Sequence, residues 1–369
     1  MIRYGIIGTG GMAAQHAQIT AKVEGVELAA CCDLDADRSE AFAAKHGFQR
    51  SVTRVEDLLE ACDAVAIVTP DQFHAPLTLQ ALAAGKHVMC EKPLTTTFED
   101  AQEVAAAAEA AHAKGQITFI NFTYRNSAAW QEARRLIADG AIGQVRHATG
   151  RYLQAWLAAK VWGDWTQEQW LWRSETPKNK DGTPVGPAAG GVLGDVGCHI
   201  MDFITGLTGE ASSLRCTTRS FPHIHHDTRE EVTEHEGRVL DANASVAVEL
   251  NLDNGGLALA QATRWASGHP NQVAVGVYGT EGAIEIDLED SWTKLRHCLG
   301  EARHRSGWTA VDLAKTPMNY ERFLASVKTG EQDQADILRG AEVQAYLEAC
   351  DRSVSAGGAV VDVPSLAAG

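Results

Sequence analysis

The sequence predicts an α/β protein: a doubly wound parallel sheet first, then an α+β domain with a large, mostly antiparallel open sheet. Three observations carry this. Up to about residue 122 the chain alternates short, continuously apolar runs with helical patterns, the signature of strands buried on both faces by crossover helices. From 212 to 298 it reads instead as successive strands joined by glycine-rich turns. A length of 369 residues suits two domains, and the change of pattern sets them at 1–122 and 123–369.

Residues 2–8 read as a buried strand, 12–23 as a helix and Val26–Asp33 as a second strand. A helix over 36–46, a strand near 49–52, a short helix over 54–61 and the strand Ala64–Val68 follow. Helices at 73–84 and 98–113 then alternate with strands at 87–90 and 116–121, and right-handed crossovers close such units into a doubly wound sheet. Beyond it come a helix over 127–138, the segment Gln144–Trp156, and an irregular stretch holding Pro177, Pro184, Pro187 and Gly190-Gly191. A helix is expected from Gly194 to about Leu207, then strands at 213–220, 244–252, 256–265, 272–278 and 282–288. Asp253-Asn254-Gly255-Gly256 and Gly279-Thr280-Glu281-Gly282 supply hairpin turns. Helices over 318–328 and 335–354 and a short strand Val360–Val363 complete the chain.

A composition 45% hydrophobic and 22% charged is that of a globular protein and excludes disorder and collagen. The formal net charge of −16 repels phosphate backbones, so nucleic acid is not an expected partner. No apolar run reaches membrane-spanning length, and Met1-Ile2-Arg3-Tyr4-Gly5-Ile6-Ile7-Gly8 lacks the layout of a signal peptide. No membrane association and a cytoplasmic location are expected. Eight cysteines without a Cys-x-x-Cys spacing, Cys31-Cys32 among them, read as buried free thiols of a reducing compartment.

Gly8-Thr9-Gly10-Gly11-Met12-Ala13 fits G-x-G-x-x-A, between the first strand and the first helix. Glycines there let the backbone turn tightly and approach a pyrophosphate, whose charge rests on the helix N-terminus. Asp33, ending the second strand, stands where a carboxylate binds a ribose hydroxyl; the three together indicate a dinucleotide-binding Rossmann domain. Asp35 and Asp37 add negative charge beside Asp33, with Arg38 the one nearby cation, which favours NAD over NADP. Thr69-Pro70-Asp71-Gln72-Phe73-His74 and Cys90-Glu91-Lys92-Pro93 follow the fourth and fifth strands, at the sheet edge where ligands lie. Alone, Lys92 reads as a solvated surface charge. Further on, Asp195, His199 and Asp202 fall at helical spacing on one face, either a capping Asp over a packed His or a base with a carboxylate to orient it.

G-x-G-x-x-A, then Glu-Lys-Pro, then G-G-x-x-x-D-x-G-x-H-x-x-D in this order resembles the Gfo/Idh/MocA family, that of glucose–fructose oxidoreductase and inositol dehydrogenase. The likeness runs from Ile2 to the Val360–Val363 strand and includes Thr-Pro-x-x-x-His and the Gly279–Gly282 turn. It implies Lys92, Asp195 and His199 as the catalytic group, with His199 the base, Lys92 the electrostatic partner and Asp195 steering both. It implies Gly8, Gly10 and Ala13 as the phosphate turn and Asp33 as ribose ligand. Thr9, Gly11, Met12, Arg38, Thr69, Pro70, His74, Glu91 and Lys92 complete the expected cofactor site. The reaction expected is hydride transfer between a secondary alcohol and the nicotinamide.

The substrate signal is thinner. Trp156, Trp162, Trp165, Trp170 and Trp172, five of the nine tryptophans, crowd the segment before the predicted catalytic helix. Aromatic faces suit sugar C–H faces, though core or subunit packing explains any one of them equally well. Tyr152, Gln154, Trp156, Trp172 and Arg173 resemble segments of relatives acting on pyranoses and anhydrosugars, and Tyr124-Arg125 stands where relatives place a substrate-contacting basic residue. A sugar, sugar derivative or cyclitol is therefore expected. The alternatives are an NAD-dependent glycosidase that oxidises its substrate transiently, and a non-catalytic NAD-dependent regulator. His223, His225, His226 and His235 cluster in a polar stretch, and no metal site is expected of them. A homodimer or homotetramer through the sheet of 213–288 is expected by the same resemblance.

Overall fold

The computed structural model describes residues 1–161, 164–167, 171–178, 190–305 and 307–366, without the side chain of Trp172. They fall into two compact units: Met1–Thr123 with Pro317–Gln344, and Tyr124–Thr316 with Ala345–Ser365.

The first unit alternates β1 (Ile2–Ile7), α1 (Gly11–Thr20), β2 (Val26–Cys32), α2 (Ala36–His46), β3 (Arg50–Val52), α3 (Val55–Ala61) and β4 (Ala64–Ile67). It continues with α4 (His74–Ala83), β5 (His87–Cys90), α5 (Phe98–His112) and β6 (Thr118–Ile120). The strands pair in parallel in the order β3-β2-β1-β4-β5-β6, reversing direction of growth beside β1. Ile6, Val65, Ile67, Val88, Met89 and Phe119 are fully buried, which is why these strands read as unbroken apolar runs. The sequence reading leaves the chain's later helices in the second domain. Residues 317–344 belong instead to the first unit, where Ala335 O accepts from Ile120 N at 2.8 Å and Gly340 lies against Leu94 and Ile120.

In the second unit, α6 (Ala128–Ala138), β7 (Val145–Leu153) and α7 (Cys198–Thr208) precede β8 (Ala211–Arg219). Two short ribbons follow, β9 (His223–Ile224) with β10 (Glu231–Val232) and β11 (Glu234–His235) with β12 (Arg238–Val239). The large strands are β13 (Ser245–Leu252), β14 (Leu257–Thr263), β15 (Gln272–Gly279), β16 (Gly282–Asp287), β17 (Lys294–Leu299) and β18 (Thr309–Asp312). After α8 (Asn319–Thr329) in the first unit, α9 (Ile337–Ser355) leads to β19 (Val361–Asp362). The sheet order is β18-β17-β16-β15-β7-β14-β13-β8-β19, antiparallel throughout except β7 with β14. The two predicted hairpins join β13 to β14 and β15 to β16, with Gly255 at φ +82° in the first turn. The reading stops short of β17 and β18, whose polar residues at the sheet edge dilute the period-2 signal.

Strand residues alternate between a buried face and an open one, with Thr149, Arg151, Leu259 and Gln261 on the open side. Gly150 faces the helices. A Cβ there would stand 3.0 Å from Ile200 Cδ1 and 3.2 Å from Ile204 Cδ1, so glycine lets α7 settle on β7.

Candidate active site

In the first unit β1 runs into Gly8, whose φ of +92° suits glycine and whose added Cβ would lie 2.6 Å from Val68 O. The chain turns there because nothing larger fits. α1 then starts at Gly11 with no side-chain cap and no acidic residue in its first turn, and Cβ atoms built on Gly10 or Gly11 meet nothing within 4 Å. Uncapped amides facing open space fit an anionic pyrophosphate. Asp33 Oδ2 accepts from Thr9 N at 3.0 Å and Thr9 Oγ1 at 2.6 Å, and Oδ1 from Asp35 N at 3.1 Å and Arg38 Nη2 at 2.5 Å. Partial burial opposes ionisation, but the bonds from Arg38, Thr9 and Asp35 outweigh it and hold the carboxyl at about 2. Thr69 Oγ1 is buried with no hydrogen-bond partner among the described residues, beside Gly8. Met12 is exposed and Ala13 fully buried.

His74 and Glu91, expected to face a cofactor, are gripped by the protein itself. His74 Nδ1 meets Pro93 O at 2.7 Å and Nε2 meets Thr69 O at 2.9 Å. Carbonyls only accept, so the ring donates from both nitrogens as an imidazolium. Burial works against that charge, yet Cys90 and the two carbonyls bring the ring up to about 9. Glu91 Oε1 accepts from His16 Nε2 at 2.7 Å and from Asn121 Nδ2 at 2.6 Å. Burial would raise this carboxyl; His16, Asn121 and Lys92 hold it below its usual range. Asn319 Nδ2 binds Asn121 Oδ1 at 3.0 Å and the Tyr320 ring stands edge-on to His16, which gives α8 its part in this unit. Half-buried Lys92 follows directly, its amide 3.4 Å from Glu91 Oε2.

In the second unit the helix expected from Gly194 starts at Gly191, passes through a π turn over Leu193–Gly197 and is α-helical again from Cys198. Asn243 shapes its entry: Asn243 O accepts from Val192 N, Oδ1 from Leu193 N, both at 2.8 Å, and Nδ2 donates to Gly190 O at 3.0 Å. Gly191, at φ +64°, is required because a Cβ would stand 2.3 Å from Asn243 O. Asp195 lies on the wide turn and its Oδ2 accepts from Arg264 Nη2 at 2.7 Å and Arg173 Nε at 3.2 Å. His199, largely buried, has the Tyr124 ring at 5.0 Å and the Tyr152 ring at 6.2 Å. Asp202, on the same helix, belongs elsewhere: Arg125 grips it through Nε at 2.8 Å and Nη2 at 2.7 Å and lies over Trp130.

Four of the expected substrate residues, Tyr124, Tyr152, Gln154 and Trp156, form one hydrogen-bonded line through Asn271. Trp156 Nε1 donates to Gln154 Oε1 at 3.1 Å, Gln154 Nε2 to Asn271 Oδ1 at 3.0 Å, and Asn271 Nδ2 to Tyr124 OH at 3.0 Å. Tyr124 OH meets Tyr152 OH at 2.6 Å. Trp156 is buried in a cluster with Leu157, Trp165, Leu171 and Leu240, and Arg264 covers its ring at 4.7 Å. Trp162 and Trp170 and the side chain of Trp172 lie outside the described residues. The four clustered histidines surround Trp165, with centroids 5.0–6.3 Å away, and among the described residues no three His, Cys, Asp or Glu side chains converge so as to hold a metal ion. Among the described residues no helix is long and apolar enough to cross a membrane. Arg264, Asn243, Asn271, His16 and Asn121 were not singled out from the sequence. A lone Arg after an apolar strand was the one visible signal, and asparagines carry none.

Residues 2–119 match a family model described as an oxidoreductase family with an NAD-binding Rossmann fold, and residues 130–285 match the GFO/IDH/MocA C-terminal domain. Levoglucosan dehydrogenase of Pseudarthrobacter phenanthrenivorans is 30% identical over 257 residues, 67% of this chain and 61% of that one. 1,5-Anhydro-D-fructose reductase of Ensifer adhaerens is 36% identical over 205 residues, 55% of each chain. The matched stretches thus span less than two thirds of these relatives. In fold the chain is similar to levoglucosan dehydrogenase in complex with NADH and levoglucosan, at TM-score 0.81 and 24% identity, covering 99% of this chain and 100% of that one.

Proposed function

Since the chain belongs to the GFO/IDH/MocA family of NAD-binding oxidoreductases, we propose that it is a dehydrogenase that oxidises a secondary alcohol of a sugar, sugar derivative or cyclitol. The observation that carries the reading is His199, held against Tyr124 and Tyr152 one turn beyond a carboxylate that two guanidinium groups bind. His199 takes the hydroxyl proton, because an imidazole exchanges protons near neutral pH. Asp195 fixes the electrostatics of that face. Lys92 stabilises the developing alkoxide. Bound NAD supplies the hydride acceptor. The chain's preference is for NAD, because the ionised Asp33 carboxylate repels a 2′-phosphate. Levoglucosan and 1,5-anhydro sugars are the first substrates to offer, by similarity to the relatives' names.

The test follows NADH absorbance with a panel of levoglucosan, 1,5-anhydroglucitol, methyl β-glucoside and myo-inositol, using wild type, Lys92→Met and His199→Ala. Wild type is expected to reduce NAD with at least one of them. Each variant should lose ~10²–10⁴-fold in kcat while binding NAD as before. Near-normal turnover by both variants overturns the assignment. Cleavage of the glucoside without net NADH would mark a glycosidase instead.

A further inference from the structure

Arg264 is a buried cation that the reaction as described does not use. It follows β14 directly, and its backbone is pinned on both sides: its N–H donates to Ala244 O at 3.1 Å and its carbonyl accepts from Leu157 N at 3.2 Å. From that fixed point the side chain, 2% exposed, reaches three acceptors. Nη1 donates to Arg173 O at 2.8 Å, and Nη2 to Gly191 O at 3.2 Å and to Asp195 Oδ2 at 2.7 Å. The Trp156 ring lies under the guanidinium and fixes its plane. Burial draws the guanidinium down to about 10, against the pull of Asp195, so the cation persists at neutral pH.

A buried charge is costly unless it is paired and hydrogen-bonded. This one is placed where a single rigid fork joins the turn that enters the helix, the segment carrying Arg173, and the carboxylate of Asp195. A lysine has one nitrogen and no plane, and does not reproduce three directed bonds with a stacked face. The bond from Arg173 to the same oxygen is longer, and Arg173 is the more exposed partner. Arg264 thus makes the shorter bond to Asp195 from the more deeply buried side chain.

We propose that Arg264 is a positioning residue of the active site, acting through Asp195: it locks the carboxylate in one orientation at the head of the helix, so that His199 works beside a fixed charge. This rests on the assignment of Asp195 and His199 to catalysis. The experiment is a double-mutant cycle on the full chain with Arg264→Met, Arg264→Lys, Asp195→Asn and the double variant Arg264→Met/Asp195→Asn. It measures kcat and KM with the best substrate of the panel, the NAD dissociation constant and Tm. Arg264→Met is expected to lose roughly 10–100-fold in kcat, the cost of a misplaced group, with NAD affinity unchanged within about two-fold. Arg264→Lys restores the ion pair, so it should recover most of the Tm but only part of kcat. In the Asp195→Asn background, Arg264→Met should cost less than about two-fold more in kcat. An equal loss in both backgrounds, or full kcat in Arg264→Lys and Arg264→Met, overturns the proposal. If Asp195→Asn itself keeps full kcat, the catalytic assignment fails and the proposal with it. If Arg264→Met does not fold, the Lys variant decides: a kcat deficit with NAD affinity unchanged upholds the proposal, and full kcat, or a deficit that NAD affinity shares, overturns it.

Discussion

The Asp33 carboxylate accepts from Thr9, Asp35 and Arg38. On the proposed reading this carboxylate receives a ribose hydroxyl and disfavours a 2′-phosphate. Asp33→Ala is expected to weaken NAD binding by about 1–3 kcal/mol, the range for a lost hydrogen bond to a charged group. It should also narrow the gap between NAD and NADP, measured by titrating both cofactors. A wild type that prefers NADP would overturn the reading of this acidic cluster. Single residues were legible here because the motif fixes both spacing and chemistry. Arg125 shows the opposite: the family resemblance suggested a substrate contact, and the structure pairs the Nε/Nη2 edge of its guanidinium with Asp202 in the core.

Among the elements, the two short ribbons and the Trp165 segment form a small assembly around histidines. Trp165 Nε1 donates to Ile224 O at 3.1 Å, and His223 Nε2 meets Ser174 Oγ at 3.0 Å. Burial drives His223 from 6.5 down to about 4, against a backbone bond at Phe221 and helped by the charge of Arg264. The native state thus holds the ring neutral while the unfolded chain takes up the proton. Stability is complete above pH 6.5 and falls as the pH drops toward 4, by on the order of 3 kcal/mol for this ring. Melting curves from pH 7.5 to 4.5 should show that loss, and His223→Gln should flatten it. An unchanged slope in the variant would remove His223 as the cause. The sequence pattern marked the histidines as a cluster. Their common neighbour, Trp165, lies about sixty residues upstream in the chain, beyond the reach of any local pattern.

For the whole molecule, the nine-stranded sheet presents Thr149, Arg151, Leu259 and Gln261 on its open face. Charged side chains there pair along the sheet, Arg151 with Asp287 at 3.4 Å and Arg296 Nε with Glu285 at 2.7 Å. We expect this face to meet a second copy in a closed dimer or tetramer. Light scattering at micromolar concentration should give two or four chains, and Arg151→Glu with Leu259→Glu should shift the assembly toward monomer. A monomeric wild type would overturn the expectation.

The sequence by itself determined the alternation of strand and helix, the glycine-rich turn with its carboxylate, and the hairpins of the second sheet. Each is written in residues a few positions apart, where period, turn chemistry and capping act. Tertiary structure alone decided what those residues touch. Asp195 finds Arg264 across 69 positions, Leu193 finds Asn243 across 50, and Arg125 finds Asp202 across 77. Those partners are chosen by which strand lies beside which and in what register, with Asp195 standing on a π turn at the head of its helix. Periodicity records which face of an element is buried. The group waiting on the other side of that face is set only when distant segments of chain pack together.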